Sequence, residues 1–392
     1  MKKIFFLLIL FVSLNTVTQN KQILYGFTEN PQTLLLNPGA ETNYKFHVGI
    51  PFLSGLSGDV GLKNFKLTDL FSEDGIDFNT KFFRLLNKLD ANDHLKLNLQ
   101  MDVLNAGFRV DAKTYISFGF YQELDVIGYW PKDVITFLNE GNASYLNRSF
   151  DLSQIVFKAD FVGALHVGVS RKINSKLTLG GRFKIYSSTL NLETQNNSGT
   201  LTTQRGSNNI YTHYLNTIDM NFLSAGLVEN DEFLENPLEL ITNSFLGGSL
   251  GVGLDFGMTY HFSPRLEFTG SIIDFGYINY SKKVQNTTVK GSYTFEGVNF
   301  VFDATNPTNY WEILNVDFEE KVPRENNTNS YTSWRPTRVN AALKYSFGNE
   351  MRSKYCYDNT FKEFYTDAFG LQIHTIIRPL SPQYAITGFY ER

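Results

Sequence analysis

The feature that most constrains the fold of this chain is a strict two-residue alternation from Ser249 to Phe262. Small or polar residues fill every second position of the run. The positions between them carry large apolar side chains, namely Leu250, Val252, Leu254, Phe256, Met258, Tyr260 and Phe262. Because successive side chains of a β-strand point to opposite faces, the run predicts a strand with one apolar and one polar face. At about 14 residues, it exceeds the ~9–11 residues that a tilted strand needs to cross a bilayer.

The same alternation recurs along the chain, most clearly at His94–Val103 and Val339–Gly348. Weaker copies are Phe46–Phe52, Tyr115–Tyr121, Phe161–Val169, Leu177–Ile185, Leu266–Ile272, Leu371–Ile377 and Ala385–Tyr390. The polar faces are rich in Gly, Ser, Thr and Asn rather than in Lys and Glu. A soluble β-sandwich also alternates, but its water-facing strands are shorter and carry more charge. The pattern therefore predicts an all-β fold, a transmembrane antiparallel β-barrel of about 12–14 strands, with the sandwich as the alternative.

The connections between the predicted strands differ in length. Short turns are Ser170–Lys176, Ser263–Arg265 and Pro379–Pro382, whereas long polar insertions run over residues 191–244 and 282–337. Short turns at one rim and long loops at the other are typical of outer-membrane barrels. Amphipathic patches in the loops predict loop or lumen helices at Asn79–Leu89, Pro131–Asn139, Asp231–Phe245 and Asn309–Leu314.

The first residues have the pattern of an export signal. Lys2 and Lys3 precede the apolar run Ile4–Val12, and Thr16 and Thr18 are small enough for the cleavage site. We predict a signal peptide over residues 1–18 and a mature barrel over residues 19–392, located in the outer membrane. The apolar run is too short to span ~30 Å of hydrocarbon, and no later stretch of about 18 apolar residues predicts a membrane helix.

Charge and composition narrow the classes of ligand. The chain has 35 Lys and Arg against 39 Asp and Glu, a formal net charge of -4, which excludes the basic surface of a nucleic-acid binder. A single cysteine, Cys356, excludes a disulfide framework. None of the six histidines forms the i, i+4 pair of a helical zinc site, so we expect no metal or cofactor. The candidate lumen-facing polar residues, all on predicted polar strand faces, are His47, His94, His166, Asp255, His261 and His374.

One motif resembles a catalytic signature. Gly247–Gly251 fits the nucleophile elbow G-x-S-x-G, which requires a strand, a sharp turn and then a helix. Here a long alternating strand follows Ser249, so we expect no enzymatic activity. The alternative, a barrel hydrolase, would need Ser249 or a pair such as His261 and Ser263.

Several short segments resemble a Bacteroidota outer-membrane barrel family that is described only as a domain of unknown function. They are Gln32–Ala40, Phe46–Pro51, Asn139–Asn142, His166–Arg171, Leu179–Lys184 and Ile273–Ile278. That family is similar to the long-chain fatty acid transporter barrels and to the barrel subunits of type IX secretion. Each motif is short and structural, so the resemblance supports a fold better than a function.

The resemblance implies a barrel of 14 strands whose N-terminal segment enters the lumen as a hatch. On this sequence the candidate hatch is Tyr25–Ala40, with Asn37 and Pro38 at its turn; the alternative is an ordinary surface turn. The chain stops directly after the predicted strand Ala385–Tyr390, whereas members of the family continue with more strands. We therefore expect a barrel that is either C-terminally incomplete or closed with fewer strands.

Together these observations predict a channel or carrier of fatty-acid-transporter type for a hydrophobic or small solute, surrounded by outer-membrane lipid. The alternative is an accessory or structural barrel that binds envelope proteins of a type IX-like secretion complex. Fold analogy alone does not decide between them.

Overall fold

The computed structural model describes residues 21–52, 55–66, 68–206, 211–229, 232–233, 237–297, 310–351 and 364–392. Cys356 and the predicted signal peptide lie outside these residues, and the signal peptide stays a prediction. The described strands are β1 (Phe46–Val48), β2 (Leu56–Leu62), β3 (His94–Arg109), β4 (Thr114–Tyr129), β5 (Ser149–Asp151), β6 (Phe157–Lys172), β7 (Leu177–Thr194), β8 (Ser198–Arg205), β9 (Tyr211–Ala225), β10 (Val228–Glu229), β11 (Glu232–Phe233), β12 (Ser249–His261), β13 (Leu266–Tyr280), β14 (Asn286–Phe295), β15 (Arg324–Asn327), β16 (Tyr331–Trp334), β17 (Arg338–Met351), β18 (Phe364–Ile376) and β19 (Gln383–Glu391).

Short helices precede the first strand and lie between the later ones. They are α1 (Thr33–Leu36), α2 (Thr68–Phe71), α3 (Phe78–Lys88), α4 (Lys132–Glu140), α5 (Pro237–Asn243) and α6 (Tyr310–Lys321), with 3-10 turns at Lys21–Leu24 and Leu152–Gln154. The helices that the amphipathic patches predicted are therefore confirmed as α3 to α6. Among the described residues, none of the helices has both the length and the apolar character needed to span a bilayer.

A single 17-stranded antiparallel sheet dominates the fold. Its wall runs in the order β2, β3, β4, β6, β7, β12, β13, β17, β18 and β19. The short strand β1 also pairs with β3, and β16 pairs with the last residues of β13. The strands are hairpin neighbours or are joined by loop insertions, as expected for an antiparallel wall.

The wall curls until its two edges approach each other. The Arg378 guanidinium, just after β18, donates two hydrogen bonds to the Asp125 carboxylate on β4, although these strands are far apart in the sheet order. Near the edges, the Gln383 side chain of β19 donates to Nε2 of His94 on β3 (2.7 Å). No register joins β19 to β2 within the described part of the chain. The predicted antiparallel barrel is confirmed; against the 12–14 strands expected, the described sheet has 17 strands, ten of which form the wall.

Exposure alternates along the wall as the sequence predicts. On β12, Leu250, Leu254 and Phe256 are exposed on the outside, whereas Asp255 and His261 are buried on the inside. The wall therefore has an apolar exterior and a polar interior, the opposite of a water-soluble protein, whose polar surface surrounds an apolar core.

The two ends of the barrel differ. The turns at residues 110–113, 173–176 and 262–265 lie at one end, which we call the short-turn end; helices α3 to α6 lie at the other, the loop end. The turn at Pro379–Pro382 was predicted to belong with the short turns. Because β18 ends beside Arg338, at the loop-end side of the wall, the structure places this turn at the loop end instead.

The long insertions were expected to be polar loops, and this was wrong in part. Strands β8, β9, β14 and β15 form an extension of the sheet from the end of β7, and β5 pairs with β8. Ile218, Met220, Tyr293 and Val322 form a small core there. These strands carry Thr, Tyr and Asn on both faces, so they lack the clean alternation that identified the wall.

Candidate functional site

The N-terminal segment, residues 21–45, lies inside the barrel and runs toward the short-turn end. Its residues Leu34, Leu36 and Asn37 are each less than 5% exposed. Tyr25 packs against Ile273 and Ala342 of the wall. Burial raises the pKa of the Tyr25 phenol to about 12.

The Asn37–Pro38 turn fits against the inner wall rather than on the surface. Asn37 Oδ1 accepts a hydrogen bond from the Gly39 amide (2.9 Å), and Asn37 Nδ2 donates to the Met258 carbonyl (3.2 Å). A Cβ atom on Gly180 would overlap the Pro38 carbonyl oxygen, and one on Gly257 would overlap the Asn37 side chain. Glycine at these wall positions therefore makes room for the backbone of the N-terminal segment.

Wall side chains bind the backbone carbonyls of this segment. Arg182 donates to the carbonyls of Leu34 and Leu35. The hydroxyl of Ser271 donates to the Leu36 carbonyl (2.7 Å), and that of Thr259 donates to the Gly39 carbonyl (2.9 Å). Since the bonds go mostly to main-chain atoms, they fix the path of the segment whatever its side chains. The hatch role of residues 25–40 stays a prediction.

Beyond the segment, toward the loop end, the interior holds a dense network of buried ion pairs. We call it the interior network. Its members are Glu123, Asp125, Lys158, Asp160, Arg182, Lys184, Glu193, Asp255, Asp274, Arg335, Arg338 and Arg378. Charges buried in this way must be paired, because the desolvation of an isolated ion costs several kcal/mol.

Glu123 is the most connected carboxylate on β4. It is 1% exposed and accepts from Arg335 (2.5 Å), from Arg338 and from the Asn98 amide (2.7 Å). Its neighbour Asp125 is held by Arg378. These bonds tie β3, β4, β17 and the end of β18 together across the interior.

A β-bulge supplies the second centre of the network. The β12–β13 register shifts between Leu254 and Phe256, opposite Asp274, which has a left-handed φ of 60°. A non-glycine residue in this region is held there by its surroundings. The Asp274 amide donates to Asp255 (2.8 Å), and Lys184 lies 2.6 Å from Asp274 and 2.9 Å from Asp255. The bulge therefore brings two carboxylates around one lysine.

A cavity of about 180 Å³ lies between the N-terminal segment, the interior network and strands β2, β3, β18 and β19. We call it the central cavity. Leu35 and Leu36 of the N-terminal segment form part of its wall, and Arg338 and Arg378 of the network form another part. Gln372 and His374, which follow each other on the inner face of β18, also line it.

The structure spreads the sequence-predicted lumen residues along the interior rather than joining them in one site. His47 contacts the Tyr115 hydroxyl (2.6 Å), and His166 packs against Tyr121. His261 lies 3.1 Å from Glu41 of the N-terminal segment. The remaining three are His94 at the loop end, Asp255 in the interior network, and His374, which bonds Asn340 (2.7 Å) and alone of the six lines the central cavity.

Sequence reasoning missed most of the interior network, because it treated the polar faces as short of Lys and Glu. A signal was nevertheless present. Charged residues stand two apart at Arg182 and Lys184, within the predicted strand Leu177–Ile185, and at Glu123 and Asp125, just after the predicted strand Tyr115–Tyr121. Two charges at this spacing share one face of a strand, and a charged face on a wall that is apolar outside must point inward.

No curated protein matches this chain. Among solved structures, the CymD monoaromatic hydrocarbon channel is similar over 88% of this chain and 78% of its own, at 11% identity and a TM-score of 0.28. The Pseudomonas putida toluene transporter TodX is similar over 86% of this chain and 76% of its own, at 9% identity and a TM-score of 0.27. The RagAB peptide importer is similar over 76% of this chain and 30% of its own, at 7% identity and a TM-score of 0.21. A family model matches residues 38–392, and the chain belongs to this family of unknown function, DUF5723.

Proposed function

We propose that this protein is an outer-membrane barrel that acts as a channel or carrier for a small polar solute and is closed at rest by its N-terminal segment. One observation carries the proposal: the wall is apolar outside and polar inside, and it surrounds a segment of its own chain. An apolar exterior suits lipid, and a polar interior suits water and polar solutes.

The sequence predicted a carrier for either a hydrophobic or a small solute. The polar interior favours the small solute. The central cavity is lined by ionised and amide side chains, among them Lys184, Arg338 and Gln372. An apolar ligand there would desolvate these groups without replacing their hydrogen bonds.

The alternative role, an accessory barrel that binds envelope proteins, is favoured by one feature of the loop end. On helix α6, Trp311 is 82% exposed and Val316 is 59% exposed. Exposed aromatic side chains are common at protein interfaces. This alternative requires a stoichiometric envelope protein that co-purifies from detergent extracts.

A charge on the outer face tests the membrane location. We expect Leu254→Arg on β12 to destabilise the membrane-inserted barrel by about 2–4 kcal/mol, because it puts a cation into hydrocarbon. Leu238→Arg, on helix α5 at the loop end, is the matched control and should have little effect. The measurement is the unfolding of the protein in lipid vesicles by urea. Equal stability of the two variants would argue against a wall that faces lipid.

A further inference from the structure

The central cavity presents more positive than negative groups to its contents. Four cationic side chains line it: Lys96, Lys184, Arg338 and Arg378. Only two carboxylates do so, those of Asp59 and Asp274. Glu123 and Asp125 of the interior network bind Arg338 and Arg378 but do not themselves line the cavity. The nearest charges that a bound solute meets are therefore mainly positive.

Two hydrogen-bond donors at the cavity have no acceptor among the residues that the structure describes. Gln372 is 5% exposed, and its Nε2 amide has no partner among the described residues. The Nε of Arg378, which is 6% exposed, is likewise without a partner in the described structure. Buried donors without acceptors are costly, so a ligand rich in oxygen acceptors would recover that free energy.

The size and the remaining lining limit the ligand further. An apolar cavity of about 150 Å³ accommodates a benzene-sized molecule, so about 180 Å³ accommodates a few more atoms. Part of the lining is apolar, from Leu35, Leu36 and Ile376. A bare inorganic anion would leave this apolar surface uncovered, whereas a short carbon skeleton would cover it.

We propose that the central cavity binds a small organic carboxylate, with its oxygens toward Gln372 and Arg378 and its carbon chain toward Leu35 and Ile376. The inference rests on the proposed function, since it names the class of solute that the barrel would take. The site includes the N-terminal segment, so bound carboxylate and closed segment stabilise each other.

The test is calorimetric titration of the purified, detergent-solubilised full-length mature protein. The probes are succinate, its neutral diamide succinamide, and inorganic phosphate. We expect succinate to bind and succinamide to bind at least roughly tenfold more weakly, because only the acid meets the positive lining as an anion. Equal affinity for acid and diamide would overturn the proposal, and so would phosphate binding as tightly as succinate, because that would describe a general oxyanion site.

Three variants locate the binding. Gln372→Glu replaces the unpartnered donor by a carboxylate beside four cations, and we expect it to weaken succinate binding roughly tenfold or more. Asn174→Asp adds the same charge at an exposed turn and should leave the affinity unchanged, since its Oδ1 already accepts from the backbone there. Gln372→Asn, which withdraws the donor without adding charge, should weaken binding less than Gln372→Glu. Unchanged affinity in both Gln372 variants would contradict the site.

The calorimetric binding test and a transport test, the swelling of proteoliposomes placed in the solute, fail independently. Succinate binding without solute flux would leave the cavity site standing and refute the channel. Flux without succinate binding would do the opposite, because calorimetry requires no movement across a membrane.

Discussion

Gly180→Val should open the barrel. The Cβ atom of any larger residue would overlap the Pro38 carbonyl oxygen, so the N-terminal segment must leave its place or shift the wall. Such overpacking typically costs about 1–3 kcal/mol, which raises the fraction of displaced segment roughly 5- to 150-fold. We expect a rise of that order in the swelling rate of proteoliposomes placed in a small polar solute such as glycerol.

The neighbouring residue provides the control. Gly181 points outward, and a Cβ atom there would come no closer than 3.9 Å to a non-neighbouring heavy atom, the Asp255 carbonyl oxygen. Gly181→Val changes the same strand by the same side chain, and valine suits a strand. It should leave swelling at the wild-type rate. Equal swelling rates in the two variants would show that the segment does not close the barrel.

Glu123→Ala should have the largest effect on stability. The substitution leaves Arg335 and Arg338 buried without their main counter-ion. Removing one partner of a buried pair costs about 3–5 kcal/mol, mostly because the remaining charge is unpaired. We expect the folded barrel to convert to the unfolded form at a markedly lower temperature, as followed by its electrophoretic mobility in unheated and heated samples.

Two further variants serve as a control and as a test of the role of charge. Asp219→Ala breaks an exposed pair with Lys290 (2.9 Å) outside the wall and should not change the transition measurably. Glu123→Gln keeps the shape of the side chain but removes its charge, so it should lose most of the stability that Glu123→Ala loses. If Glu123→Ala unfolds at the wild-type temperature, the interior network does not hold the barrel together.

The wall was predictable from the sequence because an apolar outer face and a polar inner face impose one simple rule on every strand. Ser249–Phe256 follows that rule residue by residue, with its apolar positions exposed, whereas Met258 and Tyr260 farther along the strand are half-buried. The rule fails at the bulge, where Ile273 and Asp274 both point inward although they are adjacent. It fails also in the extension, whose strands carry polar residues on both faces.

The interior was less predictable, because it depends on contacts between residues far apart in the chain. Asp125 and Arg378 are separated by 253 positions, and the local sequence around either residue does not predict their contact. Aromatic pairs show the same limit. Tyr277 and Trp334 meet on the exterior, whereas Tyr280 and its ring partner Tyr331 meet in the interior.

The central claim is that the N-terminal segment lies within the wall, and cysteine cross-linking tests it most directly. Thr178 points inward and lies 3.0 Å from the Glu41 side chain, whereas its neighbour Leu179 points outward and is 43% exposed. With Cys356 replaced by serine, Glu41→Cys combined with Thr178→Cys should be joined by a short bifunctional maleimide in membranes. Glu41→Cys combined with Leu179→Cys should stay unjoined. Equal cross-linking of the two pairs, or none in the first, would contradict a barrel closed by its own N-terminal segment.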